Sequence, residues 1–149
     1  FAARINGSML CVSGGISPEW GELQDINRIQ RPTDIPDTGL LCDLMWSSLD
    51  TDSRGWREED KGVSFTYGPD VLCAFLARNG LEKLCVGSLV VEEGIETAVG
   101  GRHYWVFSAP RYCGEFDNVG AVLHVGPQLQ TSTSIMPTSA YARDSYRHF

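Results

Sequence analysis

The chain has 149 residues, of which 42% are apolar and 10% aromatic, enough to bury the core of one domain. Its net charge is −7, from 12 basic and 19 acidic residues, which argues against the clustered lysine and arginine that a bare nucleic-acid backbone requires but leaves a basic protein partner open. The sequence has no signal peptide and no apolar run near 18 residues, so it predicts no membrane span.

The first predicted elements are a strand and a helix. The chain begins at Phe1 and not at methionine, in the pattern of an extended core segment already under way, which favours a fragment of a longer protein. An apolar run predicts a strand over Met9–Val12, followed by a Gly-Gly loop. Ser17 and Pro18 form a typical helix start, and apolar residues follow at helical spacing. These features predict a helix over residues 18–30.

The middle of the chain is predicted to contain a polar loop, a short strand and a second helix. Residues 47–61 are polar and charged, and we expect a surface loop there. Alternation over residues 63–67 predicts a short strand. Asp70 is placed to cap a helix over residues 70–78, which an Asn-Gly pair ends.

The last third of the chain has the character of strands. Apolar runs predict strands over residues 84–91, 103–107 and Gly120–Val125, separated by turns that contain glycine. Residues 131–149 are rich in serine, threonine and tyrosine, and we expect a tail that is mobile unless a partner holds it. With no repeat and no linker, the pattern predicts a single mixed α/β domain over residues 1–130.

The cysteines indicate the compartment. There are five, an odd number, and no two are spaced as Cys-x-x-Cys. Cys11, Cys73 and Cys85 lie among apolar neighbours, where a free cysteine acts as a small hydrophobe. This usage predicts an intracellular, reducing compartment and no disulfides.

Three runs of sequence carry a resemblance to a known family. They are RPTDIPDTGLLCDL at residues 31–44, GVSFTYG at residues 62–68 and FSAPRYCGEFDN at residues 107–118. On these runs the chain resembles the protein serine/threonine phosphatases of the phosphoprotein phosphatase family, closest to type 1. The resemblance implies an α/β fold, a mixed β-sandwich flanked by helices (the calcineurin-like metallophosphatase fold). Residues 1–130 would be the C-terminal part of that domain.

The resemblance also implies a chemistry. In the family, two divalent metals such as Mn or Fe/Zn lie between the sheets, and a water that bridges them attacks the phosphate. Aspartate, histidine and asparagine are the side chains that hold such metals. The first-half segments that supply most of these ligands, Asp-x-His-Gly, Gly-Asp-x-x-Asp-Arg-Gly and Gly-Asn-His-Glu, do not occur in this sequence.

The second-half positions are present but altered. By the resemblance, Ser13 and Ser88 stand where the family has metal-binding histidines. Lys61 replaces a phosphate-binding arginine and Ser48 an aspartate, whereas Tyr112, beside the family's active site, is kept. A serine hydroxyl is neutral at pH 7 and a poor ligand for a divalent ion, and lysine lacks the bidentate phosphate contact of arginine. We therefore expect no metal site, no metal cofactor and no catalytic residues here.

Other polar residues are given ordinary structural roles. His103 flanks aromatic residues in a predicted strand and is expected at the strand surface, not as a displaced metal ligand. His124, in another predicted strand, is expected to face outward or to have its hydrogen bonds satisfied. The acidic residues between positions 50 and 60 are expected to form a solvated loop.

The family also docks short peptides of regulatory subunits in a hydrophobic groove. By the resemblance, its wall would include Met9, Leu84, Thr97, Tyr104, Val106, Leu129 and Thr133. Because the family has phenylalanine at the positions of Thr97 and Thr133, we expect docking of that kind to be weakened and a new partner surface to be available.

Three functions are compatible with these observations. The first hypothesis is a pseudophosphatase, an interaction or structural subunit of a larger assembly. Its partners would be other protein subunits or its own missing N-terminal half, and neither nucleic acid nor membrane. The alternative is an active metal-dependent phosphatase whose N-terminal half is missing from this chain. The third is a phosphopeptide reader that binds without hydrolysis, with Lys61 and Arg111 as its phosphate contacts.

Overall fold

A computed structural model describes residues 1–59, 62–136 and 138 of the chain. The strands within this part are β1 Ala2–Ile5, β2 Met9–Val12, β3 Ser48–Leu49, β4 Trp56–Glu58, β5 Phe65–Tyr67, β6 Lys83–Val86, β7 Ile95–Ala98, β8 His103–Val106, β9 Gly120–Val125 and β10 Thr131–Met136. The helices are α1 Leu40–Trp46 and α2 Pro69–Arg78, with short 3-10 turns at Leu23–Arg28, Val99–Gly101 and Tyr112–Gly114. No helix in the described part is both long and apolar enough to cross a membrane.

The main sheet has five strands in the order β1-β2-β6-β8-β7. The three central strands, β2, β6 and β8, run parallel, and antiparallel strands form the two edges. A parallel sheet is buried on both faces, which explains why β2 and β6 read as continuous apolar runs. Two smaller sheets accompany it, β3-β5-β4 and the hairpin β9-β10. The predicted mixed α/β fold of packed sheets and helices is confirmed.

Each face of the main sheet covers a separate hydrophobic cluster. The larger cluster includes the fully buried Trp20, Leu72 and Leu84, with the rings of Trp20 and Phe75 5.2 Å apart. The smaller cluster contains Met9, Tyr104 and Leu129, with side chains of the β9 strand packed against it. Alternation along β6 separates the two, because successive residues of a strand point to opposite faces.

Several predicted elements are confirmed. Strands form at Met9–Val12, Phe65–Tyr67, His103–Val106 and Gly120–Val125. The second helix forms at Pro69–Arg78, one residue earlier than its predicted start. The prediction that Asp70 caps it is wrong, because Asp70 lies in its first turn and accepts the Gly55 amide at 3.1 Å.

The predicted helix over residues 18–30 is wrong in type and in its beginning. The structure has only the 3-10 helix Leu23–Arg28 there, because the predicted capping residue is used elsewhere. The Ser17 hydroxyl donates to the Asp43 carboxylate at 2.6 Å, while it accepts the Glu19 N–H at 3.1 Å. Ser17 thus joins two distant parts of the chain and starts a turn.

Three further predictions are corrected. The strand expected over residues 84–91 ends at Val86, where the chain leaves the sheet. Residues 47–61, expected to be a loop, contain the strands β3 and β4. The expected tail begins with a strand, because Thr131–Met136 pairs with β9 along its whole length. The tail residues 137 and 139–149 lie outside the described residues.

Candidate functional site

The candidate site lies at one edge of the main sheet, where the parallel strands β2 and β6 end. Ser13 is the first residue after β2, and Ser88 is the second residue after β6. The Gly87 amide donates to the Ser13 carbonyl at 2.9 Å, which ties the two loops together. Carboxyl ends of neighbouring parallel strands meet at one edge of a sheet, so these two serines are brought together. Ser13 is half-buried and Ser88 is exposed.

The loop that carries Ser13 is clamped to the end of helix α1. The Gly14 amide donates to the Leu44 carbonyl at 2.8 Å, and a Cβ on Gly14 would lie 2.5 Å from the Met45 carbonyl oxygen. The Ser47 hydroxyl donates to the Ile16 carbonyl at 2.7 Å. Because only glycine fits against α1 at position 14, the Gly-Gly pair after β2 fixes the path of this loop.

A buried carboxylate anchors the same region, and sequence reasoning did not single it out. Asp43 is 1% exposed and accepts hydrogen bonds from Ser17 at 2.6 Å and from Ser64 at 2.7 Å. It borders a cavity of about 300 Å³, whose other acidic lining residues are Glu19, Asp37 and Glu58. The signal available in the sequence was a single aspartate inside the apolar run over residues 40–46.

Ser48 lies on a different sheet. It is half-buried on β3, opposite Thr66 of β5, and its hydroxyl donates to Glu59 at 3.4 Å, a long contact. No hydrogen bond within the described part of the chain joins Ser48 to Ser13 or Ser88. The remaining predicted position, Lys61, lies outside the described residues.

Tyr112 and Arg111 form an exposed aromatic loop after β8. The Tyr112 ring is 43% exposed and packs edge-on against Phe107 at 5.1 Å, with Phe116 6.2 Å away on its other side. Buried Asn118 holds the loop by accepting the Tyr112 amide at 3.0 Å. Arg111 adopts a left-handed backbone with φ of 53°. The loop therefore presents a tyrosine from a fixed backbone.

His103 is not the strand-surface residue that the sequence predicted. Its side chain is fully buried, and its ring centroid is 4.2 Å from that of Trp105. Its Nε2 lies 3.4 Å from the Tyr67 hydroxyl, and its Nδ1 has no hydrogen-bond partner in the described structure. Burial lowers the pKa of His103 to about 4 and raises the pKa of Tyr67 well above its ordinary value. By contrast, His124 faces outward and bonds Ser134 at 2.8 Å, as expected.

The predicted docking groove is only partly formed. Met9, Tyr104 and Leu129 lie together in the smaller cluster, but Leu84 lies in the larger one, on the opposite face. The expectation for Leu84 is therefore wrong, because neighbouring positions of a strand face opposite ways. The Lys83 ammonium occupies the cluster's edge and donates to the Tyr104 hydroxyl at 3.2 Å.

The polar side of that groove is extended by threonines. The Tyr104 hydroxyl also lies 3.4 Å from the Thr131 hydroxyl. Thr97 is exposed on β7 directly opposite Tyr104, and Thr133 is exposed on β10. An apolar peptide side chain would meet hydroxyls and an ammonium there, and the weakening of the groove stays a prediction.

The residues at the Ser13 and Ser88 edge do not fit a two-metal centre. Hydroxyls stand at both positions, and divalent metals of this kind require carboxylates, imidazoles or amides. Within the described residues, no group of three or more His, Cys, Asp and Glu side chains is placed to hold a metal ion.

Two comparisons with known proteins agree with this architecture. Residues 1–87 match the family model of the calcineurin-like phosphoesterases. The structure is similar to that of a protein serine/threonine phosphatase from Saccharomyces cerevisiae with similarity to human phosphatase PP5, at a TM-score of 0.84 and 28% sequence identity. The match covers 94% of this chain and 47% of that one, so this chain spans about half the length of the matched phosphatase.

Proposed function

The chain belongs to the calcineurin-like phosphoesterase family. From the altered side chains at its sheet edge we propose that it is a serine/threonine phosphatase-like protein without catalytic activity. In this proposal it serves as an interaction or structural subunit of a larger intracellular assembly. In this proposal the chain keeps the fold of a metallophosphatase but lacks the metal-binding side chains at the sheet edge.

One observation carries the proposal, the placement of Ser13 and Ser88 after the ends of the neighbouring strands β2 and β6. The backbone of this edge is built and held by specific contacts, such as the Gly87 amide to the Ser13 carbonyl. At this edge, the side chains that the resemblance assigns to metal binding are changed. Loss of one ligand weakens a metal site, and loss of both removes two donors from the metal centre.

Exposed aromatic surface supports an interaction role. Trp46, at the end of α1, is 59% exposed, and Tyr112 and Phe116 form a second exposed aromatic group. Edge strand β1 is exposed at all four residues. Aromatic side chains and open strand edges are typical of surfaces that a protein partner covers. In this proposal the partner is another protein subunit or an N-terminal half of the same domain.

Metal content and turnover test the proposal together. The intact protein is purified, its Mn, Fe and Zn are measured by elemental analysis, and release of phosphate from phosphopeptides is followed with added Mn. We expect neither stoichiometric metal nor activity above background. Turnover that is lost on Tyr112→Phe, or metal that is lost on Ser13→Ala with Ser88→Ala, would overturn it.

A second candidate is an active phosphatase whose metal ligands come from a segment outside this chain. Its support is the retained Tyr112 loop, together with the coverage of only 47% of the matched phosphatase. The same experiment separates the two, because this candidate requires bound metal that survives replacement of Ser13 and Ser88.

A further inference from the structure

Two cysteines stand side by side on the main sheet. Cys11 of β2 and Cys85 of β6 are direct partners in the parallel register. Both are free thiols, both are half-buried, and both pack on the smaller cluster. They are far apart in sequence, so no Cys-x-x-Cys motif predicts that they are neighbours. Only the strand pairing brings them together.

A third sulfur lies on the same face. Met9 is two residues before Cys11 on β2, so their side chains point the same way. Met9 is fully buried in the smaller cluster, against which both cysteines pack. The face therefore holds two thiols and one thioether, which are the soft donors that select cuprous ion.

From this arrangement we propose that Cys11 and Cys85 form a dithiolate site for a single soft, monovalent metal ion of the cuprous type, with Met9 as a supporting thioether. Binding releases the two thiol protons to solvent, and the two sulfurs then bind one Cu(I) ion with no change in oxidation state. The product carries one negative charge.

The parallel register sets the two thiols beside each other. Their interaction lowers the pKa of Cys11 and raises the pKa of Cys85.

The spacing of the strands is compatible with an ion that bridges the two sulfurs. Neighbouring strands lie about 4.8 Å apart, and in-register side chains stand side by side. Two metal–thiolate bonds of about 2.3 Å span about 4.6 Å, which is close to the strand spacing.

The surroundings favour a monovalent ion over zinc. Zinc prefers four ligands, and the described residues offer no group of three His, Cys, Asp and Glu side chains. Lys83 lies two residues before Cys85 on the same face of β6, and its ammonium bonds the Tyr104 hydroxyl directly opposite Cys85 at 3.2 Å. That positive charge compensates the single negative charge of the dithiolate complex.

Titration of the intact protein with Cu(I), against bicinchoninate as a competing chelator, tests the site. We expect one equivalent to bind, and at least tenfold weaker binding in both Cys11→Ser and Cys85→Ser. Met9→Leu should weaken binding by a few-fold. Cys73→Ser is the matched control, since Cys73 is also half-buried but its sulfur contacts Arg102, at 3.7 Å, and no second thiol. Unchanged affinity in the Cys11 and Cys85 variants would refute the site.

A measurement on the unmodified sequence covers the case in which a serine variant fails to fold. Cu(I) should protect the peptides that contain Cys11 and Cys85 from alkylation, and leave that of Cys113 reactive, as read by mass spectrometry. If those two peptides are not protected, or if they are recovered joined by a disulfide without bound copper, the proposal is wrong.

Discussion

The imidazole of His103 and the phenol of Tyr67 form a buried pair, with Nε2 3.4 Å from the hydroxyl oxygen and no exposed surface on either side chain. His103 belongs to the main sheet and Tyr67 to the three-stranded sheet, so the pair joins the two. Because a protonated imidazole is costly in this setting, the pair makes the packing of the sheets sensitive to pH.

The first prediction is a loss of stability in acid that depends on His103. The folded pKa is about 4 and the ordinary value 6.5, so the unfolded chain binds the proton first. The contribution is complete above pH 6.5 and is lost as the pH falls from 6.5 to about 4, by up to about 3 kcal/mol in the free energy of unfolding. In His103→Leu, the free energy of unfolding, measured with denaturant, should change less between pH 6.5 and about 4. In His124→Gln, at an exposed position, it should fall as in the unaltered protein. Equal pH dependence in the two variants would count against the assignment.

The second prediction concerns the loop of Ser13. A Cβ at Gly14 meets backbone atoms of Met45 and Trp46 at 2.5 to 2.8 Å, and backbone cannot move aside cheaply. Gly14→Ala should therefore lower the free energy of unfolding by about 2 kcal/mol. Gly87→Ala is the matched control, because its Cβ would meet only the Val106 carbonyl oxygen, at an ordinary 3.6 Å. Two variants of equal stability would contradict this account.

The third prediction is that Asp43 is an anchor of the fold. Replacement by alanine leaves the hydroxyls of Ser17 and Ser64 without their acceptor. We expect a loss of about 2 kcal/mol in the free energy of unfolding, measured by chemical denaturation. Asp52→Ala, at an exposed position, should change it by less than about 0.5 kcal/mol. If Asp43→Ala leaves the free energy of unfolding unchanged, the buried carboxylate makes no net contribution to stability.

The fourth prediction is that residues 1–149 are not stable alone. All four residues of edge strand β1 are exposed, and its outer backbone groups are open to pairing, which promotes aggregation. Expression of the chain alone should produce insoluble protein, which an upstream segment or a partner rescues. The unfolding measurements above are made on the rescued form. A soluble monomer with one cooperative melting transition by sedimentation and calorimetry would refute this.

Much of the fold follows from local patterns. The apolar strands β2, β8 and β9 and the amphipathic helix α2 could be predicted because burial and sequence period agree there. Strand β7 was missed because Glu96 and Thr97 are exposed on it, so it has no apolar run. Helix α1 was missed because Asp43 interrupts its apolar face. A partner 26 residues away, Ser17, makes that interruption favourable.

The candidate site, like the fold, could be predicted from the sequence only in part. The interest of Ser13 and Ser88 came from resemblance alone, while their meeting at one edge follows from parallel pairing of β2 and β6. His103 is buried against Tyr67 and Trp105, and the alternation of residues within its own strand does not predict those contacts. The Cys11 and Cys85 pair likewise depends on register, which a sequence of separate strands does not contain.

The clamp on the Ser13 loop has a consequence for how such an edge changes over time. Its hydrogen bonds run through the Gly14 amide and the Ser13 carbonyl, and the Ser13 side chain takes part in neither. Folding therefore constrains the main chain and Gly14, and it does not constrain which side chain stands at position 13. The fold of this edge depends on main-chain atoms, whereas its reactivity depends on side-chain atoms. Substitutions during evolution can therefore remove the reactivity and keep the fold.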